Sequence, residues 1–187
     1  MKALIIHCWD GSPSYCWYPR VKQQLEAQGF EVSVPVMPQT HAPKQKLWLP
    51  KLAETVTDLE NTVLIGHSTG CITILRYLES LPSGKKCKGV VLVAGFTDNL
   101  GFDELSNFFE TPINFEKIKT HSPAFIAIMS DNDPYVPLKH ADIFKEKLGA
   151  KVIIKHNQGH FSDEGNYKEL PDVVEVLKSM SSRANRR

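Results

Sequence analysis

The sequence predicts a single α/β domain built on a mostly parallel β-sheet. Short apolar, β-branched segments alternate with longer amphipathic segments, as in a chain of right-handed βαβ units. Several of the short segments are apolar on both faces, which is typical of strands covered by helices on both sides. A length of 187 residues corresponds to about one domain.

Six short segments are predicted strands. They lie at residues 4–7, 32–35, 62–65, 90–94, 125–129 and 151–155. Between them, apolar side chains recur every three or four residues, which indicates helices. These helical stretches begin near Trp17, Trp48, Ile72, His140 and Val173. Gly29 and Gly149 follow two of them and are typical of helix ends. Since no linker or internal repeat divides the chain, we expect one domain over residues 1–180 and a frayed tail over 181–187.

One stretch does not fit the alternation of strands and helices. Some thirty residues separate the fourth predicted strand from the fifth, with several phenylalanines and a break at Pro112. One interpretation is a surface helix followed by a crossover helix over residues 115–119. The other is that the first half, residues 96–109, lines or partly covers a pocket, because long loops in compact domains are usually functional.

Charge and composition exclude several classes of protein. Lys and Arg number 22 and Asp and Glu number 21, so the formal net charge is +1. A near-neutral chain lacks the basic field that attracts nucleic acid or anionic membrane. The apolar run after Met1 is too short for a secretory signal, and no stretch approaches the ~20 apolar residues that cross a bilayer. We therefore expect a cytoplasmic protein that binds neither nucleic acid nor membrane.

The cysteines and histidines do not predict a metal centre. The four cysteines form no C-x-x-C pair, and in a reducing compartment they are expected to be free thiols. His156 and His160 have a spacing that could suggest a metal, but no third or fourth ligand lies near them in the sequence. We expect neither a metal nor a cofactor.

Residues 66–70 read Gly-His-Ser-Thr-Gly, a G-x-S-x-G pattern. A predicted strand precedes it and a helical stretch follows it, which is the context of a nucleophile elbow. In such a turn the Ser68 Oγ stands above the sheet edge, and Gly66 and Gly70 avoid a Cβ clash where the helix meets the strand. The alternative is a tight glycine turn with an ordinary helix-capping serine.

A serine nucleophile needs a base, and a carboxylate that orients the base. Asp131 and Asp133 follow the fifth predicted strand, and His156 and His160 follow the sixth, so the chain order Ser, Asp, His agrees with the motif. We favour Asp133, because a proline stiffens the loop after it, and His160, because the preceding glycine permits a tight turn. Asp131 and His156 are the second choices. His67 adjoins Ser68 in the elbow and cannot fold back onto it.

Two backbone N–H groups are candidates for an oxyanion hole. The amide of Thr69 begins the helix after Ser68 and points at a developing oxyanion. The amide of Trp9 lies in the loop after the first strand, which supplies the second donor in this motif. Cys8, in the same loop, is an alternative nucleophile. No helical pattern follows it that would lower its pKa, so we expect a buried or half-buried thiol instead.

With these residues the chain resembles the α/β-hydrolase superfamily, and within it the small serine hydrolases grouped with retinoblastoma-binding protein 9. The resemblance covers nearly the whole chain and includes particular stretches at residues 48–50, 65–68 and 109–119. It implies a compact sheet of about six strands in the order 2-1-3-4-5-6, with helices on both faces and no separate lid domain. It also implies a triad of Ser68, Asp133 and His160.

The retinoblastoma protein itself is not an expected partner. Its ligands carry an L-x-C-x-E motif, and no cysteine here has a leucine two positions before it. The expected partner is a small-molecule substrate.

Two functions from different classes follow. The first is a serine hydrolase, similar to carboxylesterases or aminoacyl-amide hydrolases, that cleaves small esters, amides or thioesters through an acyl-enzyme. The second is a catalytically quiet protein-binding module with the same fold. For the hydrolase, aromatic side chains near the motifs predict an apolar pocket, formed by Phe96, Phe108, Phe109, Tyr135 and Phe161 together with Trp9.

Overall fold

A six-stranded, wholly parallel sheet forms the centre of the molecule. The computed structural model describes residues 1–165 and 167–184. The strands are β1 Lys2–Ile6, β2 Glu31–Ser33, β3 Thr62–His67, β4 Gly89–Val93, β5 Phe125–Ser130 and β6 Lys151–Lys155. Their spatial order is β2-β1-β3-β4-β5-β6, and every neighbouring pair is parallel. The predicted fold class and strand order are confirmed.

Helices cover both faces of this sheet. The helices are α1 Tyr18–Glu26, α2 Gln45–Thr55, α3 Thr69–Ser80, α4 Phe115–Thr120, α5 Lys139–Leu148 and α6 Pro171–Ala184. Helices α1 and α6 pack on one face, and α2 to α5 pack on the other. Successive strand residues point to opposite faces, so Ile5 packs in the core beneath α1 and α6, and Ile6 packs in the core beneath α2 to α5. Because both faces are buried, the strands lack an apolar–polar alternation.

Strand order determines where the loops can form a site. After β2 the chain crosses back over β1 to form β3. The connection after β1 therefore leads toward one edge of the sheet, and the connection after β3 leads toward the other. Ile6 at the end of β1 is level with Gly66 in β3, which brings the two following loops side by side. In open α/β sheets, ligands bind at this kind of switch point, outside the carboxyl ends of the strands.

Helix α3 is central to the core. Every residue from Thr69 to Leu78 is buried, as expected for a helix that is covered on all sides. Its Arg76 is 4% exposed and donates from Nε to the carbonyl oxygen of Phe108 at 2.8 Å. The same guanidinium also donates to the carbonyl of Thr111 and pairs with Glu79. Arg76 therefore holds the long connection between β4 and α4 against the core.

Two predicted boundaries differ from the structure. Apolar periodicity extends the second helix to Leu59, but α2 ends at Thr55, because Val56 takes an extended backbone on the way into β3. Helix α6 continues to Ala184, so the first four residues of the expected frayed tail, 181–184, are helical. Residues 185–187 of that tail lie outside the described residues. None of the described helices is long and apolar enough to cross a membrane.

Candidate active site

Ser68 occupies a strained turn between β3 and α3. Its φ of 53° and ψ of −116° place it in a region that costs of order 1–3 kcal/mol for a residue with a side chain. The backbone of Ser68 is held on both sides, since its N–H donates to the carbonyl of Val93 and its carbonyl accepts from Cys71 N–H. The predicted strand–turn–helix context is therefore present.

The two elbow glycines are required by close backbone contacts. A Cβ at Gly70 would lie 2.1 Å from the carbonyl oxygen of Ile6, and a Cβ at Gly66 would lie 2.7 Å from the backbone of Cys71. Any larger residue would push α3 away from β1 and β3. This packing seats the start of α3 directly against the sheet, with Ser68 at its edge.

Ser68, His160 and Asp133 form a hydrogen-bonded row. The Nε2 of His160 lies 2.9 Å from Ser68 Oγ, and its Nδ1 lies 2.8 Å from Asp133 Oδ2. A carboxylate oxygen accepts, so Nδ1–H donates to Asp133 and the bare Nε2 is free to accept the Ser68 hydroxyl proton. The Asp133 side chain is 1% exposed, whereas that of His160 is 11% exposed. This geometry suits a base that takes a proton from the serine and is oriented by a buried acid.

The loops after β5 and β6 are tied to each other. Asp133 Oδ1 accepts the amides of Tyr135 and Val136, which fixes the carboxylate that faces His160. Asn132 Oδ1 accepts the amide of Gly159, and Ser130 Oγ accepts that of Gln158. The residues just before His160 are thus held by side chains from the end of β5 and from the loop after it, which also carries Asp133.

The second-choice residues pair with each other, away from Ser68. Asp131 accepts the amide of Asn157 at 2.9 Å and the Nδ1–H of His156 at 2.5 Å. That amide and the adjacent imidazole lower the pKa of Asp131. The His156 side chain is 85% exposed. Within the described ranges 1–165 and 167–184, no group of three or more His, Cys, Asp or Glu side chains is arranged to hold a metal ion.

Both proposed oxyanion donors border the cavity in front of Ser68. Trp9 and Thr69 line it, and the amide of Thr69 is a first-turn helix amide without an intrahelical partner. The indole of Trp9 donates to the carbonyl of His41, which holds the loop after β1 in place. Cys8 also borders this cavity, but burial raises the pKa of its thiol to about 11. At neutral pH such a thiol is a poor nucleophile.

The cavity has a volume of about 220 Å³ and mostly apolar walls. Of the aromatic residues predicted to line it, Phe96, Tyr135 and Trp9 do so. Tyr135 packs edge-on against the His160 ring, with ring centroids 5.2 Å apart. The first half of the long connection also contributes Phe102, which meets Trp9 edge-on at 5.8 Å. That segment therefore lines the pocket, as one of its two interpretations predicted.

The other three predicted pocket residues lie elsewhere, and the prediction is corrected for them. Phe108 is fully buried and packs edge-on against Trp48 beneath α3. Phe109 packs against Phe96, with ring centroids 6.1 Å apart, and does not line the cavity. Phe161 is fully buried in the core on the face of the sheet covered by α1 and α6, after a turn in which its N–H donates to the carbonyl of Gln158. Sequence proximity to a motif does not reveal which way a side chain points after such a turn.

Sequence reasoning missed three polar residues of the cavity, Tyr15, Ser162 and Glu164. Of these, Glu164 accepts the Tyr135 hydroxyl at 3.2 Å. The negative charge of Glu164 raises the pKa of Tyr135. The position of Tyr15 in the loop after β1, at the carboxyl edge of the sheet, is a signal that could have identified it.

A parallel α/β sheet with a serine elbow and an adjoining histidine and aspartate defines the molecule as an α/β hydrolase. The chain belongs to the serine hydrolase family, whose model matches residues 3–179. It is 32% identical over 184 residues to YdeN of Bacillus subtilis, a protein named as a hydrolase, covering 97% of each chain. The crystal structure of that gene product superposes with a TM-score of 0.92, at 31% identity, over 97% of this chain and 98% of the other.

A mammalian relative agrees with this assignment. The serine hydrolase RBBP9 of Rattus norvegicus is 32% identical over 171 residues, which is 90% of this chain and 88% of the relative. The name of this relative is that of the group of small serine hydrolases that the sequence resembles. The protein is therefore an enzyme of the serine hydrolase class.

Proposed function

We propose that the protein hydrolyses small esters, amides or thioesters through an acyl-enzyme on Ser68. One observation carries the proposal: Ser68, His160 and Asp133 form a hydrogen-bonded row that opens onto an aromatic cavity. Ser68 Oγ lies 2.9 Å from His160 Nε2, and His160 Nδ1 lies 2.8 Å from Asp133 Oδ2. Each side chain is already within hydrogen-bond reach of the next. This is the arrangement that nucleophilic catalysis requires.

The reaction proceeds in two transfers. As Ser68 Oγ attacks the substrate carbonyl carbon, His160 Nε2 takes the hydroxyl proton, and the amides of Trp9 and Thr69 face the developing oxyanion. His160 then passes the proton to the leaving oxygen, nitrogen or sulfur as the bond to the acyl carbon breaks. A water molecule attacks the acyl-enzyme by the same steps, and the carboxylic acid and free Ser68 are released.

The cavity limits the substrate. Its volume of about 220 Å³ lies below the 300–1,000 Å³ typical of ligand pockets, so a short group fits better than a long chain. Phe96 and Phe102 offer apolar and aromatic contacts. We propose that the group seated there is short and apolar or aromatic.

A fluorophosphonate probe tests the mechanism. The probe is expected to label the wild-type protein at Ser68, as mapped by mass spectrometry, and to leave the folded Ser68→Ala variant unlabelled. Esters of increasing acyl length and aminoacyl amides then define the substrate, with turnover expected to fall as the acyl chain outgrows the cavity. Absence of labelling would overturn the proposal. Labelling at Ser68 without turnover of any substrate would favour the protein-binding module.

A further inference from the structure

A second histidine, His67, connects the elbow to the loop that carries His160. The His67 ring is fully buried. Its Nε2 lies 2.8 Å from the carbonyl oxygen of His160, and its Nδ1 lies 2.6 Å from Tyr18 Oη. A carbonyl oxygen only accepts, so Nε2–H donates to His160 and the bare Nδ1 accepts the Tyr18 hydroxyl.

The connection continues to the loop after β1. Tyr18, at the start of α1, is fully buried, and its Oη accepts the amide N–H of Cys8 at 3.1 Å. Hydrogen bonds therefore run in one direction from Cys8 through Tyr18 and His67 to the carbonyl of His160. Cys8 directly precedes Trp9, so this chain joins the loop of a proposed oxyanion donor to the loop of the proposed base.

The loop of His160 depends on such an anchor. Gly159 and Phe161 have φ values of 51° and 54°, so the backbone on both sides of His160 is left-handed. Side chains from β5 and the loop after it hold the amides of Gln158 and Gly159, while His67 holds the carbonyl of His160 from the other side. The N–H of the same peptide, on Phe161, donates to the carbonyl of Gln158 within the turn, so the bond from His67 is what ties the His160 carbonyl to the elbow.

His67 is not itself a proton acceptor for Ser68. Both of its ring nitrogens are engaged, and burial together with the neighbouring His160 lowers its pKa to about 3. The ring therefore stays neutral in the pH range where the enzyme would work. Its described contacts with the catalytic row are with His160: the hydrogen bond to the backbone carbonyl, and a tilted contact between the two rings with centroids 5.3 Å apart.

We propose that Tyr18 and His67 are positioning residues, which set the distance between His160 Nε2 and Ser68 Oγ by joining the Trp9 and His160 loops across the elbow. This proposal rests on the proposed function of Ser68 and His160. It predicts that loss of the connection slows the chemical step and leaves substrate binding nearly unchanged, because a displacement of about 1 Å can cost about 10²-fold in rate.

Three variants test the proposal through kinetics. His67→Leu is expected to lower kcat by about 10²-fold, with KM little changed. Here kcat is calculated from the concentration of active sites, which is measured by titration with the fluorophosphonate. His67→Gln is expected to restore most of kcat, since its amide nitrogen can donate to the same carbonyl. Tyr18→Phe is expected to lower kcat as well, because Cys8 N–H and His67 Nδ1 both lose their partner. The matched control is Tyr77→Phe, a buried tyrosine of α3 outside the connection, which should retain full kcat.

The pH profile separates positioning from a general loss of stability. A looser bond between His160 and Asp133 stabilises the imidazolium less, so the acid limb of kcat/KM should move to lower pH in His67→Leu and return in His67→Gln. Unchanged kcat in a folded His67→Leu variant, or a Gln variant as slow as the Leu variant, would overturn the proposal.

A readout independent of activity keeps this test apart from the proposed function. In the Ser68→Ala protein, ¹⁵N NMR of the histidine rings should show His67 as the neutral Nε2–H tautomer down to pH 5. An Nδ1–H tautomer, or protonation of His67 near pH 6.5, would overturn the positioning role even in an active enzyme. If the wild-type protein is not labelled at Ser68, the proposed function fails, whichever tautomer His67 adopts.

Discussion

Two carboxylates that are two residues apart after β5 have different surroundings. Asp133 is 1% exposed and faces His160, whereas Asp131 is about one-third exposed and faces a surface histidine. The difference arises because the chain turns at Asn132, which directs the Asp133 side chain toward the His160 ring and the Asp131 side chain toward the surface. The sequence left both open as the orienting acid, and the geometry favours Asp133.

Substitution of each acid tests this choice. Asp133→Asn is expected to lower kcat by about 10⁴-fold while the fold remains intact, because the amide stabilises the wrong tautomer of His160. Asp131→Asn is the matched control and should retain most activity. Both are measured as kcat and KM on the best ester of the panel, with circular dichroism as the check on folding. A dead Asp131→Asn beside an active Asp133→Asn would reverse the assignment.

The dependence of rate on pH tests the histidine. We expect kcat/KM to rise with pH through a single limb in the range where histidine loses its proton, because a general base must be neutral. The limb should be the same with and without a chelator. His160→Ala should abolish activity, whereas His156→Ala should retain it. Loss of activity on chelation, or an inactive His156→Ala, would indicate that the two histidines bind a metal.

At the scale of elements, the connection between β4 and α4 depends on one buried side chain. Arg76 projects from α3 and holds the carbonyl of Phe108, the last residue of a short 3₁₀ helix over Asp103–Phe108, and the carbonyl of Thr111 beyond it. Leu105 of this 3₁₀ helix lines the cavity. The carboxylate partner of Arg76, Glu79, also accepts the amide of Asn114. A polar cluster in the core thus holds in place a segment that does not fit the alternation of strands and helices in the sequence.

Removal of that side chain should be costly. Arg76→Leu removes the donor from three backbone carbonyls, those of Phe108, Thr111 and Pro112, and removes the cationic partner of the largely buried Glu79. We therefore expect the free energy of unfolding to fall by about 3–5 kcal/mol. The control is Arg20→Leu, which breaks an exposed pair with Glu169 and should cost less than about 1 kcal/mol. Urea unfolding measures both. Equal effects in the two variants would show that the Arg76 cluster contributes little to stability.

At the scale of the whole molecule, several histidines are buried in their neutral form. Burial lowers the pKa of His7, His67 and His140, that of His67 to about 3. In each ring one nitrogen accepts a hydrogen bond, from Met37 N–H in His7, from Tyr18 in His67 and from Thr97 in His140. Protonation in the folded state would therefore break an internal bond and bury a charge.

These histidines make stability depend on pH in a definite direction. Below pH 6.5 the unfolded chain binds protons that the folded chain does not, so stability falls as the pH falls. For His67, whose pKa in the folded chain is about 3, the slope approaches roughly 1.4 kcal/mol per pH unit. His67→Gln removes one of them and should reduce the slope between pH 6.5 and 4.5. The groups that face His67 are Tyr18, His160 and His7. The control is His41→Gln, an exposed histidine, and an equal slope in wild type and His67→Gln would contradict the prediction.

The sequence by itself determined the α/β class, the six strands and the elbow at Ser68. These features follow from local patterns: apolar runs, helical periodicity, and two glycines at a spacing that only a tight strand-to-helix turn explains. The order of the strands came from resemblance to a family. The positions of Asp133 and His160 after the last two strands were also predicted from local patterns. Because the loops that follow parallel strands lie at one edge of the sheet, both residues were expected near Ser68.

Only the tertiary structure decided which side chains share the cavity. Phe96 and Phe161 look alike as aromatic residues near motifs, yet one lines the cavity and the other is buried beneath the opposite face. The direction of a side chain after a turn depends on φ and ψ and on packing between segments far apart in sequence, and no local pattern records these. The same holds for His67, excluded as the base on sequence grounds, whose bonds to Tyr18 and His160 join residues 49 and 93 positions apart.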